Sequence, residues 1–328
     1  MVTGGLGFIG SNLARRLVDL GADVLVVDAL IPDCGGDPYN IAGIESRLEV
    51  RIADLRDAMS TNVLVEDREV IFNLAGQVSH VDSIGNPRAD LDINCQSHLS
   101  LLEACRHRNP GATVVYASTR HVYGKPDTLP VTESHVLRPL DVNGINKAAG
   151  EAYHLVYSRL YGLKTVSLRL TNIYGPRQLI RHNRQGFIGW FVGQAVRHEE
   201  IPVYGDGTQR RDLIYVDDAA DAFLRVGADA ACDGEVYNVG GGDPICHGDL
   251  AALLVEVAGG GRVRFVEWPD ERKAIDVGSV YVDSTKLCRR TGWTPTVRLR
   301  DGLARTVGFY REHLGKYLME PVRIGENR

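Results

Sequence analysis

The chain has no Cys-x-x-Cys pair. Its six cysteines (Cys34, Cys95, Cys105, Cys232, Cys246, Cys288) stand singly and far apart. That excludes zinc-ribbon spacing and argues against a disulfide framework; scattered cysteines suit a reducing cytoplasm, as small core residues. No apolar run reaches the roughly 18 residues of a membrane span. No charged leader with an apolar core precedes the first motif, so no secretory signal is expected. There is no basic excess: 37 Lys and Arg face 42 Asp and Glu, a net charge of −5, which removes the electrostatic footprint of a nucleic-acid binder. Repeats and low-complexity tracts are also missing. What remains is 328 residues with 44% hydrophobic content, enough for one large or two modest domains around a sizeable core.

Against these absences, the first ten residues carry a pattern. In Met1-Val2-Thr3-Gly4-Gly5-Leu6-Gly7-Phe8-Ile9-Gly10, the glycines Gly4, Gly7 and Gly10 recur every third residue after a short apolar start. The amphipathic run Ser11–Val18 follows. The reading is strand, glycine turn, helix. Glycine lets the backbone approach a pyrophosphate, and the helix N-terminus offers it free N–H groups and a positive dipole. A second apolar run, Val24-Leu25-Val26-Val27, ends in Asp28. An acid there suits the adenosine ribose hydroxyls and repels a ribose phosphate, so NAD is favoured over NADP. Only three residues precede Gly4, whereas a buried strand usually has about five or six. Either the first strand is short or the native start lies upstream of Met1.

Strand-like runs at Val24–Val27, Leu48–Ile52, Val70–Leu74, Val114–Ala117 and Val166–Leu170 alternate with helical periodicity near Ser11–Leu20, Asp90–Arg108 and Asn146–Tyr161. This predicts an α/β fold: a doubly wound parallel Rossmann sheet over 1–170, with ligands at the carboxyl ends of its strands. After about residue 170 the pattern becomes irregular. Residues 171–328 read as a smaller, interleaved C-terminal substrate-binding domain, with Val236–Val239 returning to the main sheet. Gly259–Gly261 and the Asn327–Arg328 tail read as loop.

The order of motifs resembles the extended short-chain dehydrogenases/reductases that act as NAD-dependent epimerases and dehydratases of nucleotide sugars. The resemblance runs over nearly the whole chain. Thr3–Gly10 resembles the glycine loop, Asp54-Leu55 the pair that meets adenine, and Leu74-Ala75-Gly76-Gln77 the strand-end segment along the cofactor. Asn94 opens a similar helix. Ala117-Ser118-Thr119 with Val122-Tyr123-Gly124 resembles the catalytic Ser/Thr strand, and Arg169–Gly175, Arg211-Asp212 and Tyr215–Asp218 the substrate half. Ala75–Val78, Gly175–Gln178 and Gln185–Phe191 look most like the CDP-tyvelose (CDP-paratose) 2-epimerases. The resemblance implies NAD as cofactor, bound by Gly4, Gly7, Phe8, Ile9, Gly10, Asp28, Asp54, Leu55, Leu74, Ala75, Gly76, Asn94, Lys147 and Tyr174. It implies a nucleotide-diphosphate sugar bound by Asn172 and Arg211, with His80, Arg177, Gln185, Phe187 and Lys273, the last beside Arg272, as further contacts. It also implies a homodimer through the helix carrying Lys147, and no metal.

Two positions depart from the family's pattern. Members use a Tyr-x-x-x-Lys helix, in which tyrosinate takes a sugar hydroxyl proton and the lysine, one turn on, lowers the tyrosine pKa and holds the nicotinamide ribose. Here Lys147 is present but Asn143 stands in the tyrosine position, and an amide is no base near neutral pH. Arg120-His121 replaces the segment where dehydratases and decarboxylases carry an acid. Thr119, Lys147, His121 and Asn143 form the expected catalytic group, with His121 able to titrate near neutrality; Asp141, Tyr123 and Tyr174 are lesser stand-ins. Three readings follow: an epimerase that oxidises a ring carbinol with a non-standard base; an acid/base epimerase or dehydratase acting on a keto-sugar nucleotide; and a non-catalytic protein that binds NAD and a sugar nucleotide.

Overall fold

Side chains alternate sides along a strand, and in the computed structural model, which describes residues 1–319, this alternation builds two cores on one sheet. The sheet strands are β1 (Val2–Thr3), β2 (Leu25–Asp28), β3 (Glu49–Ile52), β4 (Val70–Asn73), β5 (Thr113–Thr119) and β6 (Lys164–Leu170). A seventh strand, Val236–Val239, joins β6 in parallel, pairing Val236 with Ser167. All neighbours are parallel, in the order Val236–Val239, β6, β5, β4, β1, β2, β3. Val2, Val26, Val115 and Val166 face one side, where they bury Leu13 and Phe223; Leu25, Val27, Ile71 and Val114 face the other, against Leu101, Leu102 and Tyr157. Helices cover both faces, as a parallel sheet requires.

The helices of the first half are α1 (Phe8–Asp19), α2 (Ala58–Leu64), α3 (His80–Gly85), α4 (Pro87–Leu91), α5 (Ser97–Arg108) and α6 (Val142–Tyr161). α1 starts directly after Gly7, three residues before the expected Ser11. The helix expected over Asp90–Arg108 is broken into α4, a π-helical turn at Asp92–Gln96 and α5. α6 begins at Val142 rather than Asn146, because the Asp141 carboxylate caps it, accepting the Gly144 N–H at 2.7 Å.

The second half is more regular than its sequence suggests. It contains helices Phe187–Val196, Val216–Ala228, His247–Ala258 and Leu299–Leu318. Phe187–Val196 is buried at eight of its ten positions, so it shows no amphipathic stripe. Leu299–Leu318 is interrupted by glycines, of which Gly302 has a packing reason: a Cβ there would lie 2.2 Å from the Tyr174 hydroxyl. These elements share a separate core of Phe191, Val192, Leu250, Leu254, Leu303 and Tyr310. Gly259 ends one helix in the left-handed conformation, as the glycine run predicts. The expected loop at Asn327–Arg328 lies outside the described residues.

Candidate active site

The strand order reverses between β1 and β4, and a crevice opens outside the carboxyl ends of strands at such a point. Here it is a cavity of about 490 Å3. At one end its wall is nearly all backbone. Gly4 has φ +62°, and a Cβ on Gly10 would sit 2.2 Å from the Gly4 carbonyl oxygen. α1 has glycine at its N-cap, no side-chain cap and no acid in its first turn. A cradle that a Cβ would fill, under uncapped N–H groups, fits a dinucleotide pyrophosphate. Gly7, Phe8 and Ile9 line this end, with Asp54 and Leu55 after β3 and Leu74, Ala75 and Gly76 after β4. Asp28 ends β2 in the same wall. Its carboxylate accepts the Leu6 N–H at 3.0 Å and the Leu30 N–H at 2.9 Å. Burial raises its pKa despite those bonds.

The other end is built from side chains. Thr119 ends β5, and its hydroxyl oxygen accepts the His121 N–H at 3.2 Å. Lys147 reaches the cavity from α6, with its ammonium 4.5 Å from the centre of the Tyr116 ring. Burial brings its pKa down to about 8, against the opposing pull of Asp90 and Glu151. Asn143, one turn earlier, donates its amide hydrogens to Gln77 O at 2.8 Å and Asp90 Oδ2 at 3.1 Å. Asp90 also accepts from Asn94 and Asn146. Asn143 is thus a brace between α6 and the segment after β4.

His121, the expected titrating group, lines the cavity beside Thr119. Burial, with the charges of His80, Arg120 and Arg211, pushes its pKa well below the ordinary 6.5, which makes it a weak proton acceptor. His80 differs. Its Nδ1 lies 2.6 Å from Asp141 Oδ2, and its ring stacks on His121 with centroids 3.8 Å apart. His80, His121 and Asp141 each bring one ligand atom within 4.8 Å of the others, a spacing that can hold a cation. The nearby guanidiniums of Arg120 and Arg211 oppose one.

Arg211 and Arg120 are both buried beside the cavity, at 5% and 6% exposure. Burial lowers Arg211 to about 10 and Arg120 to about 9, Arg120 also through the charge of Arg211. Arg211 Nη1 donates to Arg210 O and Gly278 O, its Nε has no partner among the described residues, and Arg120 donates to Asn172 Oδ1 at 3.3 Å. Asp212 and Asp276 act on both at a distance, but neither guanidinium forms an ion pair within 4 Å among the described residues, and two buried cations side by side suit an anionic ligand. Gln185 and Phe187 line the same end.

Four expected contacts do not line the cavity. Asn94 lies behind it, clamping Gln77: it accepts Gln77 N–H at 3.1 Å and donates to Gln77 O at 2.9 Å. Tyr174 turns toward helix Leu299–Leu318, donating to Leu299 O at 3.3 Å. Arg177 donates to Asn12 Oδ1 at 2.8 Å and sits over the Phe309 ring. Lys273 yields to its neighbour Arg272, which lines the cavity and donates to Asn183; adjacent residues on a short helix point in different directions. Tyr123 also turns away, donating to Asn238 at 2.6 Å. Sequence reasoning missed Cys34, His247 and the Tyr204–Trp268 pair. His247 stacks on Phe187 at 4.3 Å. Nothing local marks these residues, since they come from segments far apart in the chain.

The description "NAD dependent epimerase/dehydratase family" matches residues 1–240. The chain is 35% identical over 322 residues to a dTDP-glucose 4,6-dehydratase of Streptomyces griseus, covering 95% of this chain and 94% of the relative. It is 30% identical over 331 residues to the CDP-paratose 2-epimerase of Salmonella typhi, covering 93% and 97%. Among solved structures, the UDP-glucose 4-epimerase of Thermotoga maritima with UDP-glucose superposes with a TM-score of 0.87 at 32% identity, over 95% of this chain and 98% of that one.

Proposed function

The chain belongs to the NAD dependent epimerase/dehydratase family, and from that premise we propose that this enzyme is a nucleotide-sugar epimerase that oxidises and re-reduces a ring carbinol with no net redox change. The observation that favours epimerase over dehydratase is the turn after β5, which carries Arg120 and His121 and no acid, while the nearby Asp141 carboxylate is engaged by His80 and the Gly144 N–H. NAD, when bound, supplies a reversible hydride acceptor. Gly4–Gly10 and the start of α1 would hold its pyrophosphate, and Asp28 its adenosine ribose, where a 2′-phosphate would meet a carboxylate. Asp54 and Leu55 would meet adenine, and Lys147 the nicotinamide ribose. Arg211, Arg272 and Asn172 would take the substrate diphosphate, with guanidinium forks matched to phosphate oxygens. Thr119 would donate its hydroxyl hydrogen to the reacting sugar oxygen.

Proton NMR of the protein with NAD and a panel of nucleotide sugars, UDP-glucose and dTDP-glucose first, tests this reading. The expected result is exchange of one ring epimer for another with no accumulation of NADH. Water elimination, or stoichiometric NADH, would overturn it. A second reading, proton exchange beside a carbonyl already present in the substrate, is favoured by the absence of a phenol at Asn143. It would show as activity confined to keto sugars. We also propose a homodimer through α6, whose outer face leaves Ile145, Leu160 and Tyr161 exposed. Sedimentation gives its mass.

A further inference from the structure

We infer that His80, oriented by Asp141, is the group that accepts the substrate hydroxyl proton and returns it. The inference rests on the epimerase reading above.

The geometry begins with two helix starts. His80 is the first residue of α3, fixed by Ser79, whose hydroxyl accepts the Asp82 N–H at 3.1 Å, and by Ser83, which donates to His80 O at 2.7 Å. Asp141 precedes α6. One of its oxygens takes the Gly144 N–H; the other takes His80 Nδ1–H at 2.6 Å. The Asp141 side chain is 6% exposed and that of His80 is 22% exposed, so the carboxylate is shielded while the imidazole stays open to the cavity it lines. Burial raises the Asp141 pKa, but the bond and charge of His80 and the Gly144 N–H outweigh it and hold the carboxyl ionised below its ordinary value.

A carboxylate on Nδ1–H selects one tautomer, in which Nε2 carries a lone pair. It also stabilises the imidazolium that forms when Nε2 takes a proton. His121 acts as the wall: its ring lies against His80 while its N–H rests on Thr119 Oγ1, which places His80 beside the Thr119 corner. The other groups there do not compete. The Asn143 amide is no base, Lys147 is cationic near neutrality, and Tyr123 and Tyr174 face elsewhere.

The step balances. The hydroxyl proton passes to His80 Nε2, and the O–H electron pair closes the carbonyl as the carbinol hydrogen leaves with its pair for the oxidised cofactor. Alcohol becomes ketone, and NAD+ becomes NADH. On the return, His80 protonates the oxygen as the hydride reaches the other face.

Two measurements on the full chain test this. Nitrogen-15 NMR of labelled histidine should show His80 as the Nδ1–H tautomer, and D141N, which can still cap α6, should abolish that preference. The Nε2–H tautomer in the wild type would overturn the inference. In turnover assays with NAD and UDP-glucose, extended to the nucleotide-sugar panel, H80Q should lose about 10²–10⁴-fold in kcat with KM moved less than about threefold. Added imidazole should partly restore H80G. D141N should lose kcat in parallel with its tautomer shift, while its helical circular dichroism is unchanged. An H80Q variant with wild-type kcat sinks this inference alone. A wild type inert toward every nucleotide sugar sinks the epimerase reading and this inference together. Loss of activity in EDTA, restored by Zn2+, would assign the cluster to a metal and overturn the dyad.

Discussion

The two ends of the cavity are made of different material. At the end formed by Gly4, Gly7 and Gly10, contiguous residues present backbone, and what matters is that no Cβ intrudes. At the other end, side chains converge from α3, the turn after β5, α6 and the later half of the chain. The first kind of surface tolerates almost no substitution at its glycines. The second can change residue by residue while the sheet beneath stays fixed. A buried bond between Arg169 and Glu151 at 2.5 Å, with Ser118 donating to Glu151 at 2.7 Å, ties β5, β6 and α6 together under that corner. Arg120, His121 and Asn143 stand above this brace, so a change at any of them leaves the sheet's own ties intact.

Four experiments break or sharpen this contrast. G10V should have the largest effect: its side chain meets the Gly4 carbonyl, and NAD binding by calorimetry should vanish. Binding within about tenfold of wild type would mean that backbone does not define that end. R211A should weaken nucleoside diphosphate binding by roughly 2–4 kcal/mol, the cost of losing a buried charge contact, and leave NAD affinity within about twofold. Equal loss of both ligands would deny the separation of the two ends. N143Y should lower kcat about tenfold, because a phenol cannot replace the amide's bonds to Gln77 and Asp90 that set the position of the α6 start. A rise in kcat would show that the corner merely lacks a phenol.

The smallest effect is one of stability. Lys147 titrates at about 8 in the fold, against 10.5 as its ordinary value. Between those values the unfolded chain binds more protons, so stability rises with pH from about 8 to 10.5. In urea denaturation K147M should exceed wild type at pH 7, and the difference should shrink across that window. A constant difference would mean that burial does not hold the ammonium down.

The same contrast explains what could be read from the chain. The glycine loop, Asp28 and the strand ends were legible because their signals are local: a three-residue spacing, an acid ending an apolar run. The parallel sheet and the return of Val236–Val239 followed from alternation. The helices of the second half were hidden, because Phe187–Val196 is apolar on all sides and Leu299–Leu318 carries several glycines, of which Gly302 is demanded by tertiary packing. Tyr174 and Arg177 lie off the cavity wall for a related reason: their directions are decided by partners, Leu299, Asn12 and Phe309, that lie far away in sequence. The bond from His80 to Asp141 spans 61 residues and leaves no spacing signature at all.

The Asn94 side chain has a consequence beyond its own place. By accepting the N–H and meeting the C=O of Gln77 it satisfies both backbone groups of that residue, as a neighbouring strand would, with a single amide. The π-helical turn at Asp92–Gln96 brings that amide to the loop. A loop already held in this way has little conformational freedom left to lose when a ligand arrives. Order of this kind, already present in the Gln77 loop, lowers the entropic cost of binding against it.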